Sequence, residues 1–76
     1  MELENLFGDL LKQARLKAGM TQETLAFQAE LDRTYISLLE TGKRQPTLMT
    51  LFALSKALEL RPSDIIKEIE KKVGYY

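Results

Sequence analysis

Apolar side chains in the N-terminal part of the chain recur at the spacing of one face of an α-helix. Gly19 directly follows this stretch, and glycine often ends a helix because it adopts left-handed backbone conformations without steric cost. The pattern therefore predicts a first helix over residues 4–18. Its apolar face consists of Leu3, Leu6, Phe7, Leu10, Leu11, Ala14 and Ala18.

Two short helices are predicted next, each preceded by a side chain that can cap a helix N-terminus. Thr21 precedes a second helix over residues 22–29, and Asp32 precedes a third over residues 33–40. Gly42 lies just beyond the third helix, where a glycine commonly ends one. Because so few residues separate the two helices, we expect a tight turn and one shared core.

Two further helices complete the predicted architecture. Residues 48–58 follow Pro46 and are apolar around much of the helix circumference, so we expect this fourth helix to be central. Residues 62–73 begin at Pro62 and carry one apolar face with charged residues around it. No stretch has the alternating pattern of a β-strand. The sequence therefore predicts an all-α fold of five helices.

The composition limits both the size and the chemistry of the protein. Its 76 residues hold 11 Lys and Arg against 11 Asp and Glu, with no Cys and no His. A chain of this length forms one small core, so we expect a single domain over residues 1–76 that a second copy would help to stabilise. Without thiols and imidazoles, we expect no metal, no cofactor and no enzymatic activity.

Membrane and nucleotide-binding roles have no support in the sequence. The four glycines match no phosphate-binding loop, so no small-molecule substrate is evident. The longest uncharged run, residues 45–55, is shorter than a membrane span requires. Acidic residues near the start contradict a secretory signal, so we expect a cytoplasmic protein.

Residues 21–42 carry the strongest functional signal. Ala26 is a small residue where the second helix would cross the third, and the third helix presents polar side chains on its outer face. Apolar residues that would lock the crossing are Leu25, Leu31, Ile36 and Leu39. These features favour a helix-turn-helix, whose second helix enters the major groove of DNA.

Over about residues 7–66 the chain resembles the lambda-repressor-like, or Cro-repressor-type, helix-turn-helix regulators of bacteria and phages. The matching positions are Phe7, Gly8, Arg15, residues 19–22, Leu25, Ala26, Ile36, Ser37, Glu40, Gly42, Pro46, Leu51, Leu54, Ala57 and Leu58. Residues 31–37 are similar, more narrowly, to the controller proteins that time expression in restriction-modification systems. The resemblance implies a lambda-repressor-like fold and a DNA-binding transcriptional regulator.

One position departs from the family pattern. Family members usually place glycine in the turn where this chain has Glu30. The position often needs a positive φ, which residues with a side chain adopt only at an energetic cost. We therefore expect the turn to be reshaped or strained at Glu30.

The third helix is the predicted recognition helix. Arg33 can pair with guanine through two hydrogen bonds, and we expect it to contact a base rather than only a phosphate or the preceding aspartate. By resemblance, Thr34, Tyr35 and Ser37 occupy DNA-facing positions. Leu38 borders them, where it could contact a thymine methyl or pack at the helix edge. For Tyr35 we favour donation to a phosphate over packing on the loop that follows.

A second set of residues is placed to contact the DNA backbone. Gln22 matches the family position that binds a phosphate and braces the recognition helix. The predicted phosphate contacts are Thr21, Gln22, Lys43, Arg44 and Thr47. Arg15 and Glu40 match a family pair that joins the first helix to the end of the third, so we interpret them as a structural ion pair.

A homodimer is expected because one recognition helix contacts too few bases to select an operator. The fifth helix and the C-terminal residues form the predicted interface, helped by the exposed part of the fourth helix. The residues assigned to it are Ile66, Ile69, Val73, Tyr75 and Tyr76. Phe27 lies at an outer position of the second helix, where we expect it to pack on a neighbouring helix.

The leading hypothesis is a sequence-specific regulator of transcription that binds double-stranded DNA as a homodimer, with RNA polymerase as a further candidate partner. The alternative is a protein-interaction module, such as an antitoxin or bridging factor with the same fold, which would combine a free hydrophobic surface with no DNA affinity. An enzyme using paired carboxylates is disfavoured because so small a helical bundle offers little cleft.

Overall fold

The computed structural model describes residues 3–74, which form five α-helices and no strand. The helices are α1 (Leu3–Lys17), α2 (Gln22–Ala29), α3 (Arg33–Glu40), α4 (Leu48–Ala57) and α5 (Pro62–Val73). The predicted all-α fold is confirmed. The observed bounds of α2, α3 and α5 are those predicted. Both ends of α1 and the C-terminal end of α4 each differ from the prediction by one residue.

Polar side chains begin four of the helices. Thr21, Asp32 and Thr47 each accept a backbone N–H from the first turn of α2, α3 and α4, at 3.0, 2.9 and 3.0 Å. At the start of α5, Asp64 accepts the backbone N–H of Arg61 at 3.3 Å. These side chains bind backbone donors that no carbonyl within a helix can reach, which is why the helices start where they do.

The core lies where α3 packs against α1 and α2, with α4 and α5 completing the enclosure. Of the four residues predicted to lock the crossing of α2 and α3, three are buried and Leu31 packs against the core from its edge. That crossing therefore forms as predicted. The buried apolar side chains are Phe7, Leu11, Leu25, Ala26, Ala29, Ile36, Leu39, Leu51, Leu54, Leu58 and Ile65.

The prediction that α4 is central is wrong for half of its surface. Leu51 and Leu54 are buried, whereas Leu48, Met49 and Phe52 are 72%, 84% and 55% exposed. The reason is that α4 has α2 and α5 as neighbours on one side only. Apolar periodicity therefore identified the helix but could not tell which of its faces has a partner within the chain.

Phe27 also lies on the surface. Its side chain is 84% exposed, so the prediction that it packs on a neighbouring helix is wrong. α2 uses Leu25, Ala26 and Ala29 for its contacts with the core, and these residues leave Phe27 on the opposite side of the helix.

Close contact between α1 and the end of α3 depends on a glycine. Gly8 is buried, and a Cβ atom at this position would lie 2.8 Å from the carbonyl oxygen of Glu40. Any larger residue would therefore push α1 away from the C-terminal end of α3. This approach brings Arg15, two turns further along α1, to the carboxylate of Glu40.

Arg15 and Glu40 form a buried ion pair with two hydrogen bonds. Nε of Arg15 donates to Oε2 of Glu40 at 2.6 Å, and Nη2 donates to Oε1 at 3.1 Å. Their side chains are 9% and 3% exposed. The hydrogen bond to Glu40 raises the pKa of the Arg15 guanidinium. Nη1 of Arg15 also donates to the carbonyl of Met20 at 2.9 Å, which ties in the turn between α1 and α2.

The turn between α2 and α3 keeps its geometry without a glycine. Glu30 adopts φ 58° and ψ 44°, in the left-handed region. The backbone N–H of Leu31 donates to the carbonyl of Ala26 at 2.8 Å, which is the usual closure of a helix that ends this way. The turn is therefore not reshaped, and the strain falls on Glu30. Glu59, which the sequence did not single out, adopts φ 57° after α4.

Replacing Glu30 with glycine should stabilise the protein. The left-handed conformation costs a residue with a Cβ atom about 1–2 kcal/mol, and the greater freedom of glycine in the unfolded chain offsets part of the gain. We expect the free energy of unfolding to rise by about 0.5–1 kcal/mol in urea denaturation. Glu30→Ala keeps the Cβ atom and is the matched control; equal stability of the two variants would contradict the assigned strain.

Candidate nucleic-acid interface

One face of α3 is directed away from the core. Arg33 and Thr34 are exposed at its N-terminal end, and Ser37 and Leu38 are half-buried one turn further on. Because residues four apart lie on the same side of a helix, these side chains form one continuous surface. The fold thus brings four of the five predicted base contacts together.

Tyr35 lies at the flank of this surface and is used inside the protein. Its ring packs against the core, and its hydroxyl donates to the backbone carbonyl of Gln45 at 3.2 Å. The hydroxyl proton is therefore directed to the loop between α3 and α4, while its donation to a phosphate stays a prediction. In this respect Tyr35 follows the alternative, packing on the loop, and it holds that loop against α3.

Arg33 is available to a ligand. The neighbouring carboxylate of Asp32 caps α3 through Oδ1, and Arg33 takes part in no ion pair within residues 3–74. A guanidinium presents five donors in a planar fork, which suits two hydrogen bonds to guanine or to a phosphate. Its position at the start of α3 is the part of a recognition helix that meets base edges.

The loop after α3 holds two further cations at the opposite end of the helix. The backbone N–H groups of Lys43 and Arg44 both donate to the carbonyl of Leu38, at 2.9 and 3.3 Å, so the loop folds back onto α3. Both side chains are exposed. Positive charge therefore flanks the exposed face of α3 at both ends: Arg33 lies at the N-terminal end, and Lys43 and Arg44 follow the C-terminal end.

Two predicted phosphate contacts use their hydroxyl groups as caps. The Oγ1 atoms of Thr21 and Thr47 accept backbone N–H groups and also bond the hydroxyls of Thr24 and Thr50, each at 2.9 Å. Both threonines therefore lie at a helix N-terminus, where the helix dipole favours an anion.

Gln22, the first residue of α2, is bonded to the end of α3. Its Nε2 donates to Oε1 of Glu40 at 3.0 Å, and its side chain is half-buried. The sequence identified Gln22 as a residue that braces the recognition helix but gave no partner for it. That partner is a residue eighteen positions away, which only the fold brings close.

The surface predicted to bind a second copy is partly exposed. Ile66 is 48% exposed, while Ile69 and Val73 are half-buried; together with Leu48 they line a groove between α5 and the start of α4. Ile65, by contrast, is buried in the core of the protomer. The other two residues assigned to this interface, Tyr75 and Tyr76, lie outside the described residues.

Within residues 3–74, no group of three or more carboxylates is arranged to hold a metal ion. No helix in that part of the chain is long and apolar enough to cross a membrane.

The chain is similar to known helix-turn-helix proteins. A helix-turn-helix family model matches residues 11–65. The control protein C.BamHI of Bacillus amyloliquefaciens is 47% identical over 62 residues, which cover 80% of this chain and 76% of that protein. The control protein C.MunI of a Mycoplasma species is 42% identical over 67 residues, covering 87% and 90%.

A solved structure of a similar protein includes DNA. It contains the restriction-modification controller protein C.Esp1396I as a tetramer in complex with its natural 35 base-pair operator. The match covers 96% of each chain, with 36% sequence identity and a TM-score of 0.85. The chain therefore belongs to the helix-turn-helix family, within the group that contains the control proteins of restriction-modification systems.

Proposed function

We propose that this protein is a transcriptional regulator that binds an inverted-repeat operator as a homodimer and acts as the controller of a restriction-modification system. The observation that carries the proposal is the exposed face of α3, which starts at Arg33 and is followed by Lys43 and Arg44 in the adjoining loop. Its relatives include two control proteins, and the similar controller protein C.Esp1396I is a tetramer on its operator.

The side chains of this surface divide into two groups by what they can recognise. Arg33, Thr34, Ser37 and Leu38 lie on the face that would enter the major groove, where base edges differ in their donors, acceptors and methyl groups. The lysine and arginine of the following loop would meet phosphates, which position the protein but carry no sequence information. Contact with RNA polymerase would follow where the operator adjoins a promoter.

Dimerisation has its own physical support. Leu48, Met49 and Phe52 of α4 and Ile66 of α5 expose large apolar side chains on neighbouring helices. Burying one such side chain contributes about 1.5–3 kcal/mol, and a contiguous exposed patch of this kind marks an interaction surface. A homodimer would carry two α3 helices, as recognition of two half-sites about one helical turn apart requires.

The proposed function is tested first by selecting genomic DNA fragments on the purified protein at moderate salt and sequencing those retained. We expect enrichment of an inverted repeat, with half-sites about 10 base pairs apart, beside a methyltransferase or endonuclease gene. A folded dimer that enriches no sequence would contradict the proposal and favour the protein-interaction alternative.

Arg33 and Lys43 should differ in how their loss affects binding. Arg33→Ala should weaken operator binding by about 1–3 kcal/mol per half-site and relax selectivity at one base position. Lys43→Ala should weaken binding to operator and unrelated DNA equally, because a phosphate contact is independent of sequence. Anisotropy titrations with single-base operator variants measure both effects. An Arg33→Ala protein with unchanged sequence preference would show that the base contact is wrongly assigned.

Charge introduced on the α4–α5 surface should dissociate the dimer. Ile66→Lys replaces an exposed apolar side chain of the groove with an ammonium group, so we expect the dimer dissociation constant to rise at least about tenfold in sedimentation equilibrium. The protomer should stay folded because the residue is half exposed. Leu16→Lys, at an equally exposed leucine of α1 outside the groove, is the control. Equal dimerisation of the two variants would place the interface elsewhere.

A further inference from the structure

The carboxylate of Glu40 binds two partners through one oxygen atom. Its Oε1 accepts from Nη2 of Arg15 at 3.1 Å and from Nε2 of Gln22 at 3.0 Å. Oε2 accepts from Nε of Arg15. A single buried carboxylate thus joins α1, the first residue of α2 and the last residue of α3. The ion pair accordingly reaches the edge of the proposed DNA surface.

Gln22 can bind a second partner while it remains bonded to Glu40. A glutamine amide has two N–H donors on Nε2 and an acceptor oxygen, and Glu40 takes one of the donors. The residue is half-buried at the N-terminus of α2. An anion is favoured at this end of a helix.

We infer that Glu40 is a positioning residue of the DNA interface, which acts by holding Gln22 ready to donate its second amide proton to a phosphate. The inference rests on the proposed function. A free glutamine side chain loses rotamer freedom when it binds, and that loss weakens binding. The hydrogen bond to Glu40 fixes the side-chain conformation of Gln22 when the protein folds. The phosphate therefore binds an amide that is already positioned.

Arg15 makes this arrangement compatible with an anionic ligand. A phosphate on Gln22 would lie one amide group away from the carboxylate of Glu40, and like charges at that distance repel strongly when partly buried. The two hydrogen bonds from the guanidinium neutralise the carboxylate. The pair therefore holds Gln22 without adding net negative charge beneath the phosphate.

The ordering of Gln22 is measured on the wild-type protein without DNA. Side-chain 15N relaxation by NMR should show a rigid Nε2 group for Gln22 and a mobile one for Gln28, which is exposed on the same helix and is the matched control. Addition of operator should then shift the Gln22 amide signal without changing its mobility. A Gln22 amide as mobile as that of Gln28 in the free protein would overturn the inference.

The dependence of binding on Glu40 is measured with a double-mutant cycle on operator DNA. Gln22→Met should lower affinity about tenfold or more, since it removes a hydrogen bond to a charged group. Glu40→Met leaves Arg15 unpaired in both backgrounds, but it should lower affinity more in the wild-type background than in the Gln22→Met background. Equal losses in both backgrounds would show that Glu40 acts only by supporting the fold, and would overturn the inference.

Two outcomes separate the inference from the function on which it rests. If the wild-type protein binds no operator, the proposed function fails and the inference fails with it. If the wild-type protein binds operator but Gln22 is mobile, or Glu40→Met costs the same in both backgrounds, the inference alone fails. Where Glu40→Met does not fold, the relaxation measurement on the wild-type protein decides between these results.

Discussion

The buried ion pair between Arg15 and Glu40 is the constraint on which the arrangement of the first three helices depends. Both charges are removed from water, and an unpaired charge in that position would cost several kcal/mol, so the two side chains must remain together. Gly8 lets α1 lie close enough for them to meet. Because Glu40 also accepts from Gln22, the start of α2 is fixed relative to the end of α3 by the same carboxylate.

Local signals were sufficient to predict where the helices lie. Capping by Thr21 and Asp32 and the glycine after α1 could each be identified within a few neighbouring residues. The end of α4 lacks such a signal. The residue that adopts the left-handed conformation there is Glu59, not a glycine. Glu59 is exposed, and the turn is closed by the backbone N–H of Leu60, which donates to the carbonyl of Ser55 at 2.8 Å. A closure made by backbone groups alone has no signature in the side chains.

The site could be predicted only as far as helical spacing determines it. The exposed side of α3 is the complement of its buried positions, so Arg33 and Thr34 were correctly placed on the surface. The hydrogen bond from the Tyr35 hydroxyl to the carbonyl of Gln45 could not be predicted, because nothing nearby in the sequence indicates it. The partner of Gln22 was missed for the same reason: hydrogen bonds between distant residues are set by the fold.

The exposed apolar side of α4 has a consequence for how the proposed regulator would respond to its own concentration. A domain this small has little stability to spare, and burying Leu48, Met49 and Phe52 against a second copy stabilises the folded state. Below the dimer dissociation constant, the dimer concentration rises with the square of the protomer concentration. Because the chain carries no net charge, unrelated DNA attracts it only weakly and competes little for the dimer. Operator occupancy would therefore remain low at first and then rise steeply.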